Sequence, residues 1–128
     1  MTDLLRQGME WLEGQRKAHL SSPVTYRRGA LCVEVLATVG ATRFEADDGS
    51  GIVVEMEARD YLIASADLVL DGQQVLPERG DHVLETRDGV THVYEVMDLG
   101  PEKHFVTCDP DGRTLRIHTK FIGTEAAP

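Results

Sequence analysis

The feature that most constrains this chain is a row of short apolar segments, broken by turn residues, that runs from Arg59 to Met97. Tyr61-Leu62-Ile63 and Leu68-Val69-Leu70 are typical segments, and Asp71-Gly72 and Asp88-Gly89 are typical breaks. Glycine accepts a positive φ at little cost and aspartate hydrogen-bonds its own backbone, so these dipeptides end one strand and turn the chain into the next. Short strands separated by turns every 8–12 residues or so predict a small antiparallel β-barrel or β-sandwich.

The same pattern continues on both sides of this row. Further strands are predicted for residues 24–28, 30–39, 52–58, 104–108 and 113–122. Arg28-Gly29 predicts a tight hairpin between the first two of them. Apolar residues alternate with polar ones from Ile52 to Ala58, which predicts a half-buried strand. The tail from Gly123 onward is expected to fray.

The residues before the first strand are predicted to form a helix over residues 3–20. Leu5, Met9 and Leu12 recur at helical spacing on one stripe, and Pro23 disfavours helical conformation in the residue before it. Trp11 is the expected anchor, either on its own domain or on a neighbouring subunit. The predicted organisation is therefore a helix within residues 1–22 and one β-domain over residues 23–128, which is a mainly β fold with an N-terminal α-helix.

Length and composition are those of a single globular domain, with 128 residues, 41% hydrophobic and 27% charged. The longest apolar runs are too short to cross a membrane, and the first residues do not have the pattern of a secretion signal. Cys32 and Cys108 have no metal-binding or redox spacing. We expect two reduced, partly buried thiols, with a disulfide between neighbouring strands as the alternative, and intracellular assembly as the default.

The net charge of −9 is concentrated in the middle of the chain. Residues 29–102 contain sixteen acidic and four basic residues. Residues 1–28 contain three acidic and five basic residues, and residues 103–128 contain three acidic and four basic residues. This distribution argues against a protein that coats DNA, which needs a net positive face. It fits either self-association of basic ends with acidic bodies or a well-solvated surface.

No motif in the sequence predicts catalysis, a cofactor or a metal. Gly-x-Ser-x-Gly, nucleotide-binding loops and His-Glu-x-x-His are all missing from the sequence, and a small hydrolase is only a distant alternative. His104 and His118 are placed to face each other across a predicted hairpin, but two ligands do not close a zinc site. Asp47, Asp48 and Ser50 offer hard oxygens without the spacing of a calcium loop, so a plain flexible loop is predicted there.

Candidate residues for contact with other proteins are polar and scattered. Arg113, Arg116, His118 and Lys120 form a basic strip on the last strand, predicted to be an exposed face or a contact for an acidic protein surface. The complete set of predicted contact residues is Trp11, Asp47, Asp48, Glu78, Arg79, Arg113, Arg116 and Lys120.

From Asp60 onward the order of features resembles the head–tail joining proteins of tailed phages and prophages, also called head-closure, stopper or adaptor proteins. The resemblance is carried by the segments Tyr61-Leu62-Ile63, Gly80-Asp81-His82-Val83, Tyr94-Glu95-Val96 and Thr114-Leu115-Arg116-Ile117-His118-Thr119-Lys120. It implies a small β-barrel without enzymatic activity or cofactor.

In the particle, the resemblance implies a subunit of a ring that joins the portal or an adaptor to the tail. Such a protein is part of the virion, is assembled in the bacterial cytoplasm, and surrounds a lumen through which DNA passes without specific binding. An acidic lumen would repel DNA. Two alternatives stay open, which are a tail completion or terminator protein and a non-phage β-barrel module that binds peptide, oligosaccharide or nucleic acid.

Overall fold

The computed structural model describes residues 21–47, 49–100 and 102–126. The predicted helix over residues 3–20, with Trp11, and also Asp48 lie outside these residues. The described part of the chain contains nine strands and a 3₁₀ helix at Ser65–Asp67. The strands are β1 (Ser22–Arg28), β2 (Leu31–Asp47), β3 (Val53–Ala64), β4 (Val69–Leu70), β5 (Gln73–Gln74), β6 (His82–Arg87), β7 (Val90–Val96), β8 (Phe105–Thr107) and β9 (Thr114–Ala126).

Seven of these strands form one antiparallel sheet in the order β3-β2-β1-β6-β7-β9-β8. β3 also pairs with β9, from Arg59 opposite Thr119 to Ala64 opposite Thr114. The pairings therefore run in a closed cycle through six strands, while β4 and β5 form a separate hairpin. The predicted mainly β, antiparallel architecture is confirmed.

The core lies inside this cycle, because every second side chain of each strand points inward. Its fully buried members come from five different strands and from the segment after the 3₁₀ helix: Tyr26, Tyr61, Ile63, Leu68, Val83, Val96, Leu115 and Ile117. Val35 and Ala37 are buried on the inner face of β2, while Leu31 and Val39 at the ends of that face are exposed. Burial of this apolar surface is the main stabilising term of the fold.

Turns at two of the predicted hairpins have the backbone conformation that their sequences require. Asp88 and Gly89 both have positive φ, 52° and 78°, between β6 and β7, as expected for the two central residues of a type I′ turn. Gly29 has a φ of 58° between β1 and β2, and those two strands pair in the predicted hairpin.

The prediction of a half-buried strand from Ile52 to Ala58 is wrong for most of that segment. Val54 and Met56 are 41% and 47% exposed, and only Ala58 is buried. The reason is that β2 and β3 continue pairing beyond the closed cycle as a two-stranded ribbon. β2 also extends to Asp47, so Asp47 ends a strand and does not belong to the predicted flexible loop.

The expectation of a frayed tail is also wrong up to Ala126. β9 pairs with β7 along its whole second half, ending with Ala126 opposite Val90. The register shifts where Gly123 comes to lie opposite Val93. β9 stays paired with β7 on both sides of this irregularity, although the alternation of apolar and polar residues in the sequence ends near Ile122.

Both cysteine side chains are exposed and neither is in a disulfide. The expected partial burial of Cys32 and Cys108 is therefore wrong, and the alternative of a disulfide is not realised. Cys32 lies on β2 at the start of the strand, away from the inner face.

Truncation of one core side chain tests this packing. Leu115→Ala removes a fully buried side chain between β3 and β8, so we expect the free energy of unfolding to fall by about 2–5 kcal/mol. Leu76→Ala, at a position 58% exposed, should change it by less than about 0.5 kcal/mol. Equilibrium urea denaturation measures both, and equal losses would contradict the assignment of Leu115 to the core.

Candidate partner-contact surfaces

The most prominent surface element is the ribbon of β2 and β3 beyond the closed cycle, residues 41–57, which we call the arm. Opposite residues of an antiparallel pair share a face, and on one face of the arm Phe44 lies opposite Met56 and Ala46 opposite Val54. The other face is charged and carries Arg43, Glu45, Glu55 and Glu57. The arm is therefore a two-faced ribbon with an apolar side and an acidic side.

The tip of the arm is shaped by Asp47. Its Oδ1 accepts hydrogen bonds from the backbone N–H groups of Gly49 at 2.8 Å and Gly51 at 3.2 Å, as in an Asx-type turn. Within the described residues no group of three or more His, Cys, Asp or Glu side chains is arranged to hold a metal ion. Asp47 is exposed, and its role as a partner contact stays a prediction.

At the base of the arm, Asp60 is completely buried at the centre of a polar cluster. Its carboxylate accepts hydrogen bonds from Arg116 Nε at 2.7 Å and from the Thr42 hydroxyl, and it lies 2.8 Å from His118 Nδ1. Burial opposes ionisation of Asp60, but the hydrogen bonds from His118, Thr42 and Arg116 outweigh it and hold the pKa of this carboxyl below its ordinary value. The cluster ties β2, β3 and β9 together.

This cluster changes the meaning of the predicted basic strip. Arg116 is bound by Asp60 and by the Ala41 carbonyl at 3.0 Å, and His118 is buried. Lys120 is exposed, and Arg113 Nε lies 4.0 Å from Asp111. The strip is thus partly a structural brace, and contact of Arg113, Arg116 and Lys120 with a partner stays a prediction.

The two histidines expected to face each other use their rings elsewhere. The backbone N–H of His118 donates to the backbone carbonyl of His104, 2.9 Å away, so the two residues do lie side by side. The imidazole of His104, however, lies 2.7 Å from the Pro77 carbonyl, and that of His118 contacts Asp60. The pair therefore does not form a shared ligand site.

A second carboxylate cluster, around Glu85 of β6, lies inside the cycle at the end where the arm begins. Arg59 Nη2 donates to both Glu85 oxygens at 2.8 and 2.9 Å, Arg87 donates at 2.7 Å, and the Tyr61 hydroxyl donates at 2.8 Å. The Arg59 guanidinium also lies 5.1 Å from the centre of the Tyr94 ring. Burial opposes ionisation of Glu85, but these donors and the two arginine charges outweigh it, so its pKa lies below its ordinary value.

A third cluster surrounds the buried Asp81. It binds the Arg28 guanidinium, with Nη2 at 2.8 Å, and accepts hydrogen bonds from the Tyr26 hydroxyl and the Glu78 N–H. Burial and the neighbouring Asp81 raise the pKa of Tyr26. Glu78 is exposed beside this cluster, 3.5 Å from Arg28.

Arg79 is exposed and pairs with Asp98 at 2.7 Å. Contact of Glu78 and Arg79 with a partner stays a prediction.

Reasoning from the sequence missed the carboxylates that organise these clusters, Asp60, Glu85 and Asp81. A usable signal was present for Asp60, because it lies directly before the apolar run Tyr61-Leu62-Ile63-Ala64. A charge in such a position is seldom buried unless it is paired. The partners of these carboxylates lie 24 to 58 residues away along the chain in most cases, so the pairing was not visible locally.

Taken together, the described residues form a braced antiparallel β-domain whose buried carboxylates are occupied by arginine, tyrosine and histidine and whose most exposed element is the arm. The family model described as phage head–tail joining protein matches residues 2–126, and the chain belongs to this family. No curated protein matches the chain.

The suspected resemblance to head–tail joining proteins is therefore confirmed, and it extends well beyond the segments that first indicated it. Among the described residues, no helix has the length and apolarity needed to cross a membrane.

The Glu85 cluster predicts a pH dependence of stability. A carboxyl whose pKa is lowered on folding stabilises the fold above its unfolded pKa, and this contribution is lost as the pH falls through the folded value. Glu85→Gln should lower the free energy of unfolding at pH 7 by on the order of 2 kcal/mol, since hydrogen bonds to a charged group contribute about 1.5–3 kcal/mol. The gap from the wild type should narrow below about pH 4.

Urea denaturation at a series of pH values measures this gap. Glu34→Gln, at an exposed position of β2, is the matched control and should stay close to the wild type throughout. A gap for Glu85→Gln that is the same at pH 7 and pH 3 would show that the ionised carboxylate is not the source of the stabilisation.

Proposed function

We propose that this head–tail joining protein acts as one subunit of an oligomeric ring in the virion, between the portal or an adaptor on the head side and the first tail proteins. The observation that carries the proposal is the family match over residues 2–126. In this role the protein is structural and not catalytic, and it is assembled in the bacterial cytoplasm before it becomes part of the particle.

The form of the domain supports this role. A ring subunit has to transmit load between neighbours without deforming, and the closed cycle of six paired strands is suited to this, so we propose that it works as a small β-barrel. The three carboxylate clusters brace it: Asp60 connects β2, β3 and β9, Glu85 connects β3 and β6, and Asp81 is bound from β1. Rigid elements hold contact surfaces in place at low entropic cost.

The arm is the proposed element for contact beyond the body of the subunit. Its apolar face exposes Val54 and Met56 to solvent. Exposed apolar surface costs free energy to hydrate, and a continuous patch of it is typical of a surface that another protein covers. The predicted contact residue Asp47 lies at the tip of the arm, and Asp48, the next residue along the chain, is proposed as a contact with it. Glu78, Arg79, Arg113, Arg116 and Lys120 are the proposed polar contacts of the body with head and tail proteins.

The acidic face of the arm supports a second part of the proposal, that DNA passes through the ring without binding. Glu45, Glu55 and Glu57 share this face with a single arginine, Arg43. If the face lines the lumen, its charge repels the phosphate backbone and keeps DNA from adhering.

Genetic removal tests the joining function. Particles made without the protein should accumulate as heads and tails that are not attached to each other, and expression of the wild-type chain from a plasmid should restore attachment. Electron microscopy of the particles measures this, and in the restored particles it shows whether the chain forms a ring between portal and tail. Normal attachment without the chain would refute the proposal, and a ring at the far end of the tail tube would favour a tail terminator.

Charge reversal tests the lumen assignment separately. Glu45→Lys, on β2, should slow DNA ejection in vitro, with a delay that shrinks as salt is raised, because the added charge attracts phosphate in a screened manner. Glu34→Lys, on the body, is the control and should eject normally. If electron microscopy shows residues 45–57 on the outer wall of the ring, the lumen assignment fails while the joining function is unaffected.

A further inference from the structure

The closed cycle of strands opens into a fork at one end. β3 and β9 pair only from Arg59 opposite Thr119 to Ala64 opposite Thr114. Beyond this point β3 stays with β2 in the arm, whereas β9 stays with β7 up to Ala126. The two strands that close the cycle therefore separate, each keeping one paired neighbour.

Each branch of the fork carries an open strand edge. Among the described residues, nothing pairs with the second edge of β3 over residues 53–58 or with the second edge of β9 over residues 120–126. At about 3.3 Å per residue, both edges are roughly 20 Å long, so they match in length. An open edge offers a row of unpaired backbone N–H and C=O groups to an incoming strand.

Both branches carry exposed large apolar side chains. Val53, Val54 and Met56 are exposed on β3, and Phe121 and Ile122 are exposed on β9. Between the branches lies a cleft of about 510 Å³ whose lining includes Gly40, Glu57, Arg59, Tyr94, Lys120 and Phe121. Open edges on soluble proteins are commonly shielded by charge, bulges or short length. These two edges are long and carry exposed apolar side chains beside their charged ones, which fits surfaces that are covered in the assembled state.

We infer that, within the proposed ring and resting on that proposal, the open edge of β3 in one copy pairs with the open edge of β9 in the next copy. Both edges belong to the same chain, so a second copy supplies the complement of each. The contact uses different surfaces on the two partners, and repetition of such a heterologous contact closes a ring when the rotation between copies allows it.

The charges on the edges favour pairing of β3 with β9 over pairing of β3 with a second β3. Glu55 and Glu57 lie next to each other on one side of β3, so two β3 edges placed together would bring glutamates close across the strands, which is destabilising. The β9 edge begins with the exposed cation Lys120 instead. Pairing of β3 with β9 therefore joins an acidic edge to one that begins with a cation. It also brings the apolar side chains Met56 and Ile122 to the same contact.

Cross-linking in assembled particles tests the contact. In a chain with Cys32→Ser and Cys108→Ser, one variant carries Glu55→Cys on the β3 edge and a second carries Thr124→Cys on the β9 edge, both at exposed positions. Particles assembled from an equal mixture and treated with a short bis-maleimide should give linked dimers at least about tenfold more often than particles from either variant alone.

Three outcomes would overturn the inference. The first is that the Glu55→Cys variant links to itself, the second is that the edges link to another virion protein, and the third is that rings form normally with no link between copies. In all three cases the proposed ring survives, whereas particles in which electron microscopy shows no ring of this chain overturn both proposals.

A second measurement uses charge to block the edges. Met56→Lys and Ile122→Lys should each reduce the yield of tailed particles by at least about tenfold, because a charge on an edge disfavours pairing. Leu36→Lys, an exposed apolar position on β2 opposite Pro23 of β1, is the matched control and should assemble normally. Thermal unfolding of the isolated variants shows that each is folded, and equal loss of assembly in all three would count against the edge contact.

Discussion

The pairing of β3 with β9 is the interaction on which the rest of the structure depends, because it converts an open seven-stranded sheet into a closed cycle. Both faces of this pairing are filled. Tyr61 and Ile63 meet Ile117 and Leu115 on the inside, while on the outside the Asp60 cluster crosses the same two strands. The paired residues are far apart in sequence, so their contact carries a large loop-closure entropy that only combined apolar burial and ion pairing offset.

The place where this pairing stops matters as much as the pairing itself. At Arg59 and Thr119 the two strands part, and the domain changes from a packed core to a ribbon with an exposed apolar face. The Glu85 cluster lies just inside this boundary, where Arg59 reaches across to β6. These contacts tie β3 to β6 at the last closed layer, where the proposed contact edges leave the body.

The acidic charge of the chain is divided between two tasks. Asp60, Asp81 and Glu85 are buried and neutralised by arginines from distant strands, where removal of one partner leaves an unpaired buried charge. Glu45, Glu55 and Glu57 remain on the surface of the arm. The first group stabilises the fold, and the second gives the arm the acidic face that we propose lines a lumen. The net charge alone does not separate these groups.

The sequence by itself determined the class of architecture and the family. Turn dipeptides such as Asp88-Gly89 predict hairpins because few other residues accept their backbone conformation, and alternation along β9 places Leu115 and Ile117 inside. These are local effects of φ preference and side-chain period, which is why they were predictable. The resemblance that indicated head–tail joining also came from such local segments.

Tertiary structure alone decided which strands close the cycle, which carboxylates are buried and where the apolar faces remain uncovered. The alternating residues from Ile52 to Ala58 have the pattern of a half-buried strand, yet most of them lie in the arm, because burial depends on whether another strand reaches them. Arg116 has the pattern of a surface cation and is instead the partner of Asp60, 56 residues away. Long-range pairing carries no local signature in a single sequence, since its free energy arises only when both partners meet in the folded chain.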